Sequence, residues 1–238
     1  MISTEFVAKY GLREADALDA VEVAIARALT RALNKNVTVR INDKLEITAF
    51  SHRGEPVDVS PEQINRKLRR HIFHLVELEL RKRQALRESE DLGQLRGTTL
   101  PGEITRIADN GTLHVALEFS DVFRQLALAG ECPVDHQPVH ERGRYRVGDV
   151  REFFISSVLP VAVNGRQTFV RIRLSRTSKE LPALLLQERT GVYGIECQRR
   201  VAGGFSNIVT PTRLPKEAIN HVGKELGERL NVSISQTP

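Results

Sequence analysis

The chain has 238 residues, 40% of them hydrophobic and 27% charged, which is long enough for two or three small cores and too apolar for a disordered polymer. Thirty-five Lys and Arg against thirty Asp and Glu leave a net charge of +5, a modest excess that suits an anionic partner and that many ordinary enzymes also carry. Two cysteines, Cys132 and Cys197, exclude a disulfide framework, no apolar run nears the roughly eighteen residues a membrane span needs, and Met1 to Glu5 has neither a basic nor an apolar leader region, so a cytoplasmic protein without membrane contact is expected.

Apolar residues Leu18, Val21, Ile25, Ala28, Leu29 and Leu33 recur at steps of three and four, which predicts an amphipathic helix from Leu12 to Leu33. Val37, Val39 and Ile41, then Leu45, Ile47 and Ala49, alternate with polar residues across Asn42-Asp43-Lys44 and predict a hairpin. Ser60-Pro61-Glu62 reads as a helix start, and Ile64, Leu68, Ile72, Leu75 and Leu78 carry that helix to about Ser89. Composition changes over Gly93 to Pro101. Beyond it Ile104 and Ile107, the turn Asp109-Asn110-Gly111, Leu113 to Leu117, Val150 to Ile155, the turn Asn164-Gly165 and Val170 to Leu174 predict short strands, more in keeping with a small antiparallel β-barrel than an open sheet. Only the segment between these strands, rich in Pro and His, reads as loose loop. A short helix over Leu181 to Gln187 leads to a β-β-α-β unit: Gly194 to Arg200, Ser206 to Thr210, a helix from Pro215 to Leu230 and a last strand, Asn231 to Ser235. The fold class is therefore α+β, with domains at 1–94, 95–178 and 179–238.

Catalytic and metal chemistry find little footing. Neither GxGxxG nor GxxxxGK[ST] occurs, no GxSxG elbow presents a nucleophile, and Glu103 and Glu118 have no stated separation from which a paired-carboxylate site could be argued. Cys132, His136 and His140 have a ligand-like spacing, but Pro133 and Pro138 prevent a helix from aligning them, and a surface loop is the competing reading. His71 and His74 share a helix face without a carboxylate or thiolate beside them. No enzyme activity, cofactor or metal is expected.

Arginine is better organised. Between Glu141 and Arg176 the eight arginines 142, 144, 146, 151, 166, 171, 173 and 176 meet only the acids 141, 149 and 152. With Val170, Ile172 and Leu174 directed into a barrel, strand alternation turns Phe169, Arg171 and Arg173 outward together, where guanidinium groups can hold phosphates. A solvated outer face is the plain alternative. The long helix carries two further basic groups, Arg66, Lys67, Arg69 and Arg70, then Arg81, Lys82, Arg83 and Arg87, separated by Glu77 and Glu79.

The order of units and several local runs resemble the bacterial transcription elongation and termination factor NusA family. Leu12 to Ala15 through Asn36 to Ile41 is similar to its opening helix and first strands. Gly102 to Ile107, Tyr145 to Arg151 and Leu174-Ser175-Arg176-Thr177-Ser178 are similar to its OB-type RNA-binding barrel, and Glu196 to Ile208 to the start of a KH domain. No GXXG loop follows the run Glu196 to Ile208, and the interval from Pro211 to Lys216 is too short for one with its helix, so the KH-like unit is expected to be shortened. The resemblance implies a non-catalytic regulator whose first domain docks on RNA polymerase while the barrel contacts single-stranded nascent RNA through Arg144, Arg146, Arg171, Arg173 and Arg176, with His114 on the barrel face and Arg199 and Arg200 extending the track. The alternative is a structural or assembly subunit of a ribonucleoprotein or polymerase complex, its arginines meeting acidic protein.

Overall fold

A computed structural model describes residues 9–42, 44–51, 54–60, 64–121, 124–163 and 167–235, with the backbone alone at 118–121, 124–127, 163, 167 and 168. The turn residues Asp43, Asn164 and Gly165, the helix-start residues Pro61 and Glu62, Arg166 and the side chain of Glu118 lie outside it. Among the described residues the architecture is α+β, with four α-helices and three sheets. The chain divides into two compact units, Met1–Asp91 with Pro160–Val170, and Leu92–Leu159 with Arg171–Pro238. The segments 95–178 and 179–238, separate domains by sequence, thus fall largely into one unit.

In the first unit, helix α1 (Glu14–Leu33) buries Ala17, Ala20, Val21, Ala24, Ile25, Ala28 and Leu29 and ends at Asn34, whose left-handed φ of 53° stops the helical run. Strands β1 (Asn36–Ile41) and β2 (Leu45–Phe50) form the expected antiparallel hairpin, and β3 (Pro56–Asp58), with no alternation to announce it, adds an edge. Helix α2 (Arg66–Asp91) starts four to five residues later than Pro61: the Asn65 side-chain oxygen accepts the Leu68 N–H at 2.8 Å and supplies the cap. Val76 and Leu80 of α2 join Val37, Val39, Ile47 and Ala49 in the core beside α1.

Strands β4 (Thr99–Ile107), β5 (Leu113–Asp121), β6 (Arg124–Cys132), β7 (Val150–Val163) and β8 (Gln167–Ser175), most of whose residues belong to the second unit, close a barrel in the order β4-β5-β6-β8-β7. The expectation of a purely antiparallel barrel is corrected here, because β6 and β8 pair in parallel, Gly130 opposite Ile172 and Glu131 opposite Arg173. Strand β6 lies within the segment read as loop. Ile104, Leu113, Val115, Leu117, Phe153, Ile155, Ile172 and Leu174 are buried, each large side chain contributing about 1.5–3 kcal/mol. Gly130 permits the parallel crossing: a Cβ there would stand 2.7 Å from Leu174 Cδ1.

Helix α3 (Leu181–Thr190), with Pro182 in its first turn, precedes β9 (Glu196–Val201), β10 (Phe205–Thr210), helix α4 (Lys216–Leu226) and β11 (Arg229–Ile234). These strands form a sheet in the order β11-β10-β9, with β10 antiparallel to β9 and parallel to β11. The final helix stops at Leu226, not Leu230, because Gly227 takes φ 62° and caps it through N–H bonds to the Gly223 and Lys224 carbonyls. Its core is Leu181, Leu185, Leu186, Ile195, Cys197, Ile208, Val222 and Leu226.

Candidate nucleic-acid interface

Cross-strand partners project from the same face of a sheet, so register decides which polar side chains on the barrel are neighbours. Arg106 of β4 stands opposite His114 of β5, His114 opposite Glu131 of β6, and Glu131 opposite Arg173 of β8. The buried residues Leu113, Val115, Cys132, Ile172 and Leu174 flank these positions, which puts the row on the outer wall. Arg106 donates to His114 Nε2 at 2.7 Å. Because a guanidinium has no acceptor, that contact requires a neutral ring with its proton on Nδ1. Arg171 Nε lies 3.4 Å from Glu131 Oε2, while Arg173 is exposed. Arg171 and Arg173 therefore flank one carboxylate, and Arg106 stands one strand beyond it, next to His114.

Sequence alternation could not have found Arg106, which shares parity with the buried Ile104. A register shift between Ile104 and Arg106 turns it onto the outer wall beside His114. Phe169, Arg171 and Arg173 do share the parity expected of them: Phe169 is 40% exposed, Arg171 half-buried and Arg173 exposed.

Arg144 and Arg146 are exposed on the turn-rich segment before β7, which is stitched to β4 by Ile104 N–H to Asp149 O at 2.9 Å and Gly148 N–H to Ile104 O at 2.8 Å. Arg144 also lines a cleft of about 230 Å³ with His140, Glu141, Tyr145, Arg151, Lys224 and Glu225.

Arg176 leaves the proposed track, because its side chain is 0% exposed. All five of its N–H donors are spent: on Glu141 Oε2 at 2.7 Å and Oε1 at 2.6 Å, on Glu225 Oε1 and O at 3.0 Å each, and on Glu152 O at 2.8 Å. A guanidinium so enclosed has nothing left to offer a phosphate, and it ties the barrel to α4 instead. Burial by itself pushes the Glu141 carboxyl up, but hydrogen bonds from Arg176 and its charge overcome this and hold it below the usual carboxylate value. Tyr145, half-buried and donating to the same carboxylate, is driven the other way by desolvation and that hydrogen bond.

Arg200 is corrected on the same ground. Its side chain is 2% exposed and grips the fully buried Glu228 through Nη2 at 2.7 Å and Nε at 3.1 Å, with Ser178 O as a further acceptor. Glu228 also accepts from Ser206 Oγ at 2.7 Å and Gly203 N at 3.1 Å. Arg199, one residue away, faces the opposite side of β9 and is exposed, its guanidinium carbon 5.5 Å from the centre of the Phe205 ring.

The remaining candidates resolve into packing. Cys132 is fully buried, and burial pushes its thiol up to about 12 against the opposing charge of Arg176. His140 is wedged against two backbone turns: a Cβ on Gly203 would meet its Nδ1 at 1.9 Å, and one on Gly227 its Nε2 at 2.7 Å. Among the described residues no three of His, Cys, Asp and Glu are grouped to hold a metal ion. His71 and His74 are exposed on α2. On that helix each member of the second basic group has a partner, Arg81 in Glu77 at 2.7 Å, Lys82 in Glu79 at 3.5 Å, Arg83 in Asp19 and Arg87 in Gly11 O at 2.8 Å, and Arg66, Lys67 and Arg70 are exposed. No helix among the described residues is long and apolar enough to cross a membrane.

No protein-family model matches the chain, and no curated protein matches it.

Proposed function

We propose that this chain is a non-catalytic regulator of transcription elongation, in which the N-terminal domain, 1–94, docks on RNA polymerase and the barrel, of OB type, contacts nascent single-stranded RNA. The segment after the barrel is read as a shortened KH-like unit with no GXXG loop between β10 and α4. The observation that carries the RNA reading is the outer row Arg106–His114–Glu131–Arg173 with Arg171 beside it, a predominantly cationic strip across four strands. Planar guanidinium groups match phosphate oxygens, and exposed arginines can exchange water for phosphate at small cost. Arg144 and Arg146 supply further exposed cations on the same unit. Polymerase docking rests on the resemblance of the opening segment.

The test is a fluorescence titration of the full chain with unstructured labelled RNA at several salt concentrations. Each phosphate contact on a single strand adds about −0.7 to the slope of log affinity against log salt, so Arg106→Ala with Arg173→Ala is expected to make it shallower by about 1.4. An unchanged slope in a variant that still folds removes the barrel assignment. For the N-terminal domain, capture of RNA polymerase from extract is expected to survive ribonuclease. Capture lost with ribonuclease would instead mean bridging by RNA, and binding to neither partner would favour an assembly subunit.

A further inference from the structure

The third sheet has one covered face and one open face. Cys197, Ser206, Ile208 and Thr210 are buried, Cys197 and Ile208 in a core shared with α3 and α4, so the alternate residues of β10, namely Phe205, Asn207 and Val209, face the other way and are half-exposed. Register then lines up three rows on the open face. Arg229, Phe205 and Val201 form the first, Asn231, Asn207 and Arg199 the second, and Ser233, Val209 and Glu196 the third. Outer positions in these rows, including Arg199, Arg229 and Asn231, are exposed.

We infer that this open face binds an unpaired base of single-stranded nucleic acid, stacked on Phe205 and held at its edge by Asn207 and Asn231. Three features point to that occupant. Phe205 is braced by the Arg199 guanidinium at 5.5 Å, and Arg229 stands opposite it on the other neighbouring strand, so the ring lies between two cations suited to flanking phosphates. Asn231 Nδ2 donates to Asn207 Oδ1 at 3.0 Å, which orients both amides and leaves the Asn207 N–H donors and the Asn231 carbonyl oxygen to meet the mixed donors and acceptors of a base edge. Two arginines against the single Glu196, with only Phe205, Val201 and Val209 apolar among nine residues, match a polyanion carrying aromatic rings better than an apolar protein surface. The inference takes the kind of polymer from the RNA reading above and shares no residue with the barrel row.

The chain has no tryptophan, so Phe205→Trp in the full chain introduces one reporter at the stacking position. Its fluorescence is expected to be quenched by a short oligouridylate at concentrations roughly tenfold below those needed with an abasic ribose-phosphate oligomer of equal length, since stacking is the difference between them. The quench is expected to persist when Arg106→Ala and Arg173→Ala are added, even as the salt slope falls. Asn207→Asp, which keeps the side-chain volume, removes the outward donors and adds a negative charge, is expected to weaken oligouridylate binding by roughly tenfold with an unchanged thermal transition. Equal quenching by the abasic oligomer would overturn base stacking, as would RNA binding seen by anisotropy with no change in the reporter; the latter result would leave the barrel reading standing. Absence of RNA binding by both readouts would remove both.

Discussion

The barrel's outer wall and the junction between the barrel and α4 draw on the same residue type and use it for opposite purposes. On the wall, Arg173 is exposed and the nearest carboxylate, Glu131, is already shared with Arg171. At the junction, three residues further along the chain, Arg176 is enclosed by Glu141 and Glu225 and spends every donor. Arg199 and Arg200 repeat the contrast across one strand. The lesson is that an arginine's chemistry depends on whether an acid is buried with it: a desolvated guanidinium without partners would be very costly, so a buried arginine implies buried carboxylates, and these need not be its neighbours in sequence.

The sharpest way to break this contrast is to truncate both arginines. Arg176→Ala strands Glu141 and Glu225 in a water-poor site and is expected to cost about 3–5 kcal/mol of stability, read by urea denaturation followed by circular dichroism. Arg173→Ala is expected to cost under about 0.5 kcal/mol, as an exposed substitution does. Equal losses would mean that the two positions are not distinguished as described.

A smaller effect should appear in acid. The Glu141 carboxyl is held below its unfolded value, so its pairing contributes stability above that unfolded value and loses it as pH falls through the lower folded one. Between about pH 7 and about pH 3 the melting temperature of the native chain is expected to fall more steeply than that of Glu141→Gln, which starts lower and lacks this titration. Parallel curves would show that the pair is not electrostatically coupled to folding.

The smallest expected effect has the opposite sign. Glu152 is pushed up by burial and then by the nearby Glu188 and Glu225 charges, and its Oε2 is buried with no hydrogen-bond partner among the described residues. Its folded value lies above the unfolded one, so the ionised group destabilises the fold at neutral pH, and that penalty fades as pH falls. Glu152→Gln is expected to raise the melting temperature slightly near neutrality, with the gain disappearing in acid. A loss of stability at neutral pH would show that the carboxylate is satisfied in some other way.

Helices and paired strands were legible wherever one face of an element met a core and the other met water. The spacing of Val21, Ile25 and Leu29, or the alternation of Val37 and Val39 with Thr38 and Arg40, carries that asymmetry directly. Strand β6 was not legible because its interior residue at the parallel crossing is Gly130, which marks the core by the absence of a side chain, and its neighbour Cys132 reads as a candidate ligand. Strand β3, all exposed, buries nothing that could leave a pattern. Part of the candidate site followed from alternation, in Arg171 and Arg173. Arg106 did not, because the shift in register after Ile104 reverses the parity on which alternation depends.

From its residues alone, the protein could be read as an α+β chain with a helical and hairpin opening, short barrel strands and a β-β-α-β close, because amphipathic periodicity and turn chemistry are local properties. Which arginines face solvent was settled only by tertiary structure. Burial of Arg176 depends on Glu141, 35 residues before it, and Glu225, 49 residues after it, and that of Arg200 on Glu228, 28 residues away. Desolvation and ion pairing act through space between distant segments, so no window of sequence contains both the charge and the partner that neutralises it.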